Sequence, residues 1–85
     1  MRYKLKPLIL EAVQFKDDIV SITEITRLSD ADVSVDYSQD PPIVLLQGRN
    51  QILKAREGDY VVKGVAGEIY VLPERVFIQV FDPIE

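Results

Sequence analysis

Tyr60-Val61-Val62-Lys63-Gly64-Val65-Ala66-Gly67-Glu68-Ile69-Tyr70-Val71-Leu72 is the stretch on which the fold turns. Two runs rich in β-branched and aromatic residues flank a tip bounded by glycines, which is the pattern of a hairpin with a short loop. Just upstream, Glu57-Gly58-Asp59 has the composition of a tight turn, since glycine accepts positive φ and aspartate bonds its own turn backbone. Before that turn, Ile43-Val44-Leu45-Leu46 reads as a short buried strand and Gln51 to Arg56 as its return, joined by Gly48-Arg49-Asn50. On the return strand, Ile52 and Lys54 fall on one side and Leu53 and Ala55 on the other. Each strand is tied to the next by a few residues, so the pairing is expected to be mostly antiparallel.

Farther out, Val33-Ser34-Val35-Asp36-Tyr37 alternates with period two and predicts a half-exposed strand with Val33, Val35 and Tyr37 inward. Ser38-Gln39-Asp40-Pro41-Pro42 reads as a turn. Asp17-Asp18 opens a helix, because an aspartate there accepts from free N–H groups and its charge suits the helix dipole. Ile19, Ile22, Ile25 and Leu28 recur about once per turn with Thr23, Glu24 and Arg27 between them, predicting one amphipathic helix over 18–28. Ser29-Asp30-Ala31-Asp32 ends it without a glycine cap.

Leu8 to Phe15 predicts a first strand. Ile9, Glu11, Val13 and Phe15 share one face and Leu8, Leu10, Ala12 and Gln14 the other, and the apolar character of both faces suggests a central position. Pro7, which has no N–H to donate, suits the strand's beginning. Downstream of the hairpin, Pro73-Glu74-Arg75 reads as a turn or a single turn of helix. Val76 to Phe81 is apolar on both faces and reads as a last strand, stopped by Asp82-Pro83. There is no internal repeat and no low-complexity segment. The expected architecture is one α+β domain over 1–85: a small, mostly antiparallel, bent sheet or partial barrel of about six short strands, with one amphipathic helix over an open end or face.

Composition narrows the function. A chain of 85 residues buries only about 60–65% of the surface its unfolded form exposes. It has no cysteine or histidine, so neither a disulfide nor a histidine-held metal reinforces it. The 47% apolar content excludes disorder as a description of the whole and supplies a dense core. No run of about 18 apolar residues is present, so no membrane span is expected. The basic start Met1-Arg2-Tyr3-Lys4-Leu5-Lys6 superficially suggests a signal peptide, but Glu11 interrupts the apolar run after Leu10. The expectation is a soluble cytoplasmic protein.

The net charge of −4 is unevenly spread. Residues 1–16 carry Arg2, Lys4, Lys6 and Lys16 against Glu11, a balance of +3. Residues 17–48 carry Asp17, Asp18, Glu24, Asp30, Asp32, Asp36 and Asp40 against Arg27, a balance of −6. The acidic middle argues against general nucleic-acid binding, which depends on neutralising phosphates.

Lys54 to Phe77, with its Gly58-Asp59-Tyr60 turn, Lys63-Gly64-Val65, Gly67-Glu68 and Tyr70, resembles a family of small phage and prophage proteins of uncharacterised function. Lys6-Pro7-Leu8-Ile9-Leu10-Glu11-Ala12-Val13-Gln14-Phe15 resembles that family's opening strand, so the likeness covers about half the chain at its two ends. The chain departs from the pattern at Ile69, where the family usually has an aromatic, and at Val71-Leu72, which replace a more polar pair. Residues 29–50 have no counterpart in the pattern. The resemblance implies a phage-related origin, hence a host cytoplasm, and a small β-rich fold. It implies no activity.

The residues that stand out for binding are Asp59, Tyr60, Lys63, Glu68, Tyr70 and Glu74. Tyr60 and Tyr70 are expected near each other on the hairpin beside Lys63 and Glu68, and tyrosines on a sheet make good interface anchors. Lys63 to Glu68 lacks the Gly-Lys-Ser/Thr ending and the following helix of a phosphate-cradling loop, and reads instead as a hairpin tip with Lys63 and Glu68 paired across it. Asp30, Asp32 and Asp36 lack the glycine and closing glutamate of a calcium loop. With no histidine, cysteine or nucleophile motif, the expectation is no catalytic residue, no metal and no cofactor. The first functional reading is a phage-type accessory protein that binds another protein, from phage or host, and modulates it by occlusion. Its interface would be the Tyr60–Tyr70 hairpin or the acidic helix face. One alternative is a small-ligand or enzymatic site using Glu11, Asp59, Lys63, Glu68 or Glu74. The other is a structural homo-oligomer, such as a homodimer that covers an exposed edge.

Overall fold

Among the described residues, six short antiparallel strands and two helices follow one another as β1 (Glu11–Gln14), α1 (Ile19–Ser29), β2 (Asp32–Asp36), β3 (Ile43–Gln47), β4 (Ile52–Ala55), β5 (Tyr60–Lys63), β6 (Ile69–Leu72) and α2 (Glu74–Val80). The computed structural model describes residues 1–3, 9–48 and 51–82. The α+β class and the antiparallel pairing agree with the sequence. The strands divide into two three-stranded sheets, ordered β1-β5-β6 and β2-β3-β4, and no barrel closes.

Register explains where the core lies. In the second sheet Val33, Leu46 and Leu53 align across the three strands, as do Val35, Val44 and Ala55. In the first sheet Val13, Val61 and Val71 align in the same way. Side chains opposite one another point to the same face, so each row lays a band of apolar side chains across its sheet. The inner faces meet in one core of Phe15, Ile25, Leu28, Val44, Leu46, Ala55 and Val61. β4 lies beside β6, while α1 touches β1, β5 and β2. The helix therefore closes the side of the core opposite the β4–β6 contact.

Local chemistry sets the ends of α1. Asp18 is the N-cap, and its Oδ1 accepts the Ser21 N–H at 2.7 Å. This bond, with a second from the Ser21 hydroxyl, holds the Asp18 carboxyl below its ordinary range. A lowered folded value means the cap's contribution is present above the ordinary carboxylate range and is lost as pH falls through the lowered value. Ser21 is itself buried, and its Oγ accepts the Lys16 N–H at 3.1 Å, fixing the corner between β1 and α1. At the other end Asp30 takes the left-handed conformation (φ 52°) that a glycine would normally supply, and its N–H donates to the Thr26 carbonyl at 3.0 Å.

Four details differ from the sequence reading. The segment read as a last strand, Val76–Phe81, is mostly α2. Its helix starts at Pro73, whose carbonyl accepts from Val76 at 3.0 Å and Phe77 at 2.9 Å. As a helix it turns Val76, Phe77 and Phe81 toward the protein, whereas a strand would align Phe77 and Phe81 with Gln79. The strand read as central, Leu8–Phe15, is an edge: among the described residues β1 pairs with β5 alone, and α1 lies against it. Tyr37 points outward and is 73% exposed, because the chain has already entered the turn there. Ile19 is 81% exposed, so the buried stripe of α1 begins at Ser21 and continues through Ile25 and Leu28. Pro7, Leu8 and the Arg49-Asn50 part of the β3–β4 turn lie outside the described residues.

Phe15 is completely buried. Truncating such a ring costs about 3–5 kcal/mol. A chain of 85 residues has a total stability on the order of 4–13 kcal/mol. Urea unfolding followed by circular dichroism is expected to show Phe15→Ala losing about 3–5 kcal/mol, a large part of the native state's margin. Tyr37→Ala is expected to stay within about 0.5 kcal/mol of the parent.

Candidate recognition surfaces

The turn before β5 absorbs Asp59. Gly58, at φ 94°, lets the chain reverse; the Asp59 N–H donates to the Arg56 carbonyl at 2.9 Å and its Oδ2 accepts the Arg56 N–H at 2.9 Å. The hairpin tip absorbs Glu68 in a similar way. The Gly64 N–H donates to the Glu68 carbonyl at 2.7 Å, leaving Val65-Ala66-Gly67 as a three-residue loop. Glu68 Oε1 accepts the Ala66 N–H at 3.1 Å, which folds the side chain over Gly64. A Cβ at Gly64 would overlap that carboxylate, so glycine is required by close approach. Lys63 does not face Glu68. It stands opposite Ile69 on one side and Glu11 on the other.

Tyr60 and Tyr70 do share a face, since Tyr60 pairs with Leu72 and Val62 with Tyr70. They differ in availability. The Tyr60 ring is covered by Phe77 of α2, with centroids 3.8 Å apart and planes 5° from parallel. Phe77 in turn stacks against Phe81 at 4.9 Å. Gln14 secures the start of α2: its amide nitrogen donates to the Gly58 carbonyl and to Glu74 Oε2, each at 3.1 Å. α2 thus lies on the outer face of the first sheet, yet it buries none of its own residues. Tyr70 (52% exposed), Ile78 (63%) and Val80 (65%) remain open to solvent on β6 and α2.

A second feature lies at the opposite edge of this sheet. A cleft of about 490 Å³ runs between β1 and α1, lined by Leu10, Glu11, Val13, Leu28, Arg27 and Lys63, among others. Glu11 and Lys63 face each other in register, and Glu24 and Arg27 stand on the helix wall. Asp59 and Glu74 are at the far end of β5, about 10 Å away by strand geometry, so the carboxylates singled out in the sequence do not converge.

Compared with known protein families, curated proteins and solved structures, the chain finds no match. The candidate surfaces are therefore read from their own geometry. Among the described residues, no group of three or more acidic side chains is placed to hold a metal ion, and no helix is long and apolar enough to cross a membrane.

The acidic stretch 17–40 is largely taken up by local structure. Asp18 and Asp30 cap α1 at its two ends. The Asp36 carboxylate accepts from the Ser38 hydroxyl and the Ser38 N–H, which together hold it below the ordinary carboxylate range. Glu24, by contrast, stands over the cleft. Ile78, Val80, Glu24, Arg27 and Gln14 were not singled out in the sequence. For Ile78 and Val80 the available signal was Pro73-Glu74, a helix start that competes with the β-branched run after it.

Stacked aromatic pairs contribute about 0.5–1.5 kcal/mol beyond the area they bury. Phe77→Ala is therefore expected to release α2 without dissolving the core. Hydrogen exchange should show the amides of α2 losing protection while those of β3 keep theirs. Simultaneous loss in both would mean that α2 and the core unfold as one unit.

Proposed function

We infer that this chain is a phage-type accessory protein that acts by binding another protein and occluding part of it, with no chemistry of its own. One observation carries this reading: α2 buries none of its residues and leaves Ile78 and Val80 exposed, and Tyr70 of the neighbouring β6 is exposed as well. Singly exposed apolar side chains are ordinary, but a helix that buries none of its residues leaves apolar area on more than one side, with Ile78 and Val80 about 200° apart around it, and such open apolar area is what interaction sites use. Here Glu74, Arg75 and Gln79 supply polar groups on the same helix, and tyrosine is a favoured interface anchor. The likeness of residues 6–15 and 54–77 to small phage and prophage proteins supports the accessory role and a partner from phage or host.

The β6–α2 surface is favoured over the acidic helix face because capping and turn bonds account for much of the acidic stretch. Among the hairpin tyrosines, Tyr70 is the contact residue and Tyr60 the support for α2.

Affinity capture from an extract of cells that carry the chain is expected to retain a discrete partner. The pair Tyr70→Ala and Ile78→Ser should lower that capture at least tenfold with an unchanged circular dichroism spectrum. No partner above background, or capture indifferent to both substitutions, would contradict the reading. A homodimer in sedimentation, dissolved by the same substitutions, would replace it with the structural homo-oligomer.

A further inference from the structure

The β2-β3-β4 sheet leaves one face to solvent, and the charges on that face are sorted by strand. Val33, Val35, Val44, Leu46, Leu53 and Ala55 turn to the core, so the residues between them turn outward. On β2 these are Asp32, Ser34 and Asp36; on β3, Ile43, Leu45 and Gln47; on β4, Ile52 and Lys54. Arg56 follows with the same parity as Lys54 and is exposed. Asp32, Ser34, Gln47, Ile52 and Lys54 are exposed too, and Leu45 is half-buried between them. Their exposure shows that no helix or strand among the described residues lies over this face.

Register places the charges. Ser34, Leu45 and Lys54 form one row across the sheet, and Asp32, Gln47 and Ile52 the next. The acidic side chains stand on β2 and the basic ones on β4 and just after it, while β3 between them carries no charge. Opposite charges on adjacent strands would pair within the sheet. Here two strand spacings, about 10 Å, separate the margins. Accordingly, the Ser38 hydroxyl and N–H do most to hold the Asp36 carboxyl low, and the Lys54 charge does least. A two-fold axis running along β3, in the plane of the face, would set a second copy on the first with β2 over β4. Each acidic margin then meets the other copy's basic margin, Ser34 meets Lys54, and Leu45 meets Leu45. An axis across the strands would instead set β2 over β2 and acid over acid. The first arrangement has the self-complementarity that an isologous contact requires. We propose that the outer face of the β2-β3-β4 sheet packs on the same face of a second copy, related by a two-fold axis along β3.

Stacked sheets lie about 10 Å apart with their strands within about 30° of one another. Three strands of four or five residues make a face roughly 15 Å on a side, so the contact is at the small end of specific interfaces. The dimer is therefore weak and reversible. Leu45 and Ile52 supply its apolar contact, and the sorted charges set its orientation. A partner of uniform charge is disfavoured, because either sign would oppose one margin of the face. The contact is independent of the β6–α2 surface, since α2 lies on the first sheet. A dimer so formed carries two copies of that surface, which raises its avidity for a partner with repeated sites.

Sedimentation equilibrium of the whole chain, at concentrations up to about 1 mM, tests the proposal. A monomer–dimer equilibrium is expected. Ser34→Lys and Lys54→Glu change exposed positions, so both variants are expected to fold. Each alone should weaken the dimer at least tenfold: the first sets lysine against lysine, and the second sets glutamate against Asp32 and Asp36. Mixed together, the two variants should associate again, because the new lysine of one meets the new glutamate of the other. A monomer at every concentration, a dimer indifferent to both substitutions, or a mixture that stays monomeric would overturn the proposal. A dimer dissolved by Tyr70→Ala and Ile78→Ser, and not by Lys54→Glu, would overturn it and place the contact on β6–α2. Should Lys54→Glu fail to fold, Ser34→Glu decides the matter. It faces Lys54 of the other copy and is expected to tighten the dimer at least threefold; no change would overturn the proposal.

Discussion

Phe15 ties together the parts of this small domain. Its ring is completely buried in a core to which both sheets and α1 contribute, and both of its backbone groups are bonded to the Gly58–Asp59 turn. That pairing settles the register of β1 on β5, so Val13 meets Val61 and Glu11 meets Lys63. One residue later, Lys16 donates to Ser21 and directs α1 back across the core. The parity of Phe15 also determines which backbone groups of β1 turn outward. A burial event and two hydrogen bonds thus reach from the core to an exposed edge.

Much of the polar chemistry that looks functional in the sequence is consumed in building the fold. Asp18 and Asp30 end a helix, Asp59 closes a turn, and Glu68 caps a hairpin tip. Such side chains satisfy backbone groups that would otherwise lack partners near the ends of elements. What is left over is of another kind: exposed apolar side chains on β6 and α2. α2 crosses the outer face of the first sheet, from β6 past Tyr60 to Gln14 of β1.

The legible part of the fold was the part governed by local rules. Alternation in Val33–Asp36, the glycine-bounded tip at 64–67 and the capping aspartate before α1 each depend on neighbours within a few residues. The misread parts depend on distant ones. Val76–Phe81 is rich in strand formers, yet Phe77 finds its partner in Tyr60, and only the helical path brings them together. The apolar run before Phe15 suggested a central strand, but among the described residues β1 pairs with β5, with Val13 and Phe15 turned to the core and Gln14 to the α2 side. Of the binding residues read from the sequence, Lys63, Glu68, Tyr70 and Glu74 stay exposed, while Tyr60 is explained by a neighbour that sequence spacing does not reveal.

The claim at the centre of this account is that the β6–α2 surface meets another protein. Photo-cross-linking in cells, from a photoreactive phenylalanine at position 78, tests it most directly. The same group at position 19, where Ile19 is also largely exposed, serves as the comparison. The account predicts a discrete covalent adduct to one protein from position 78 and none from position 19. No adduct from position 78, or the same products from both positions, would contradict it.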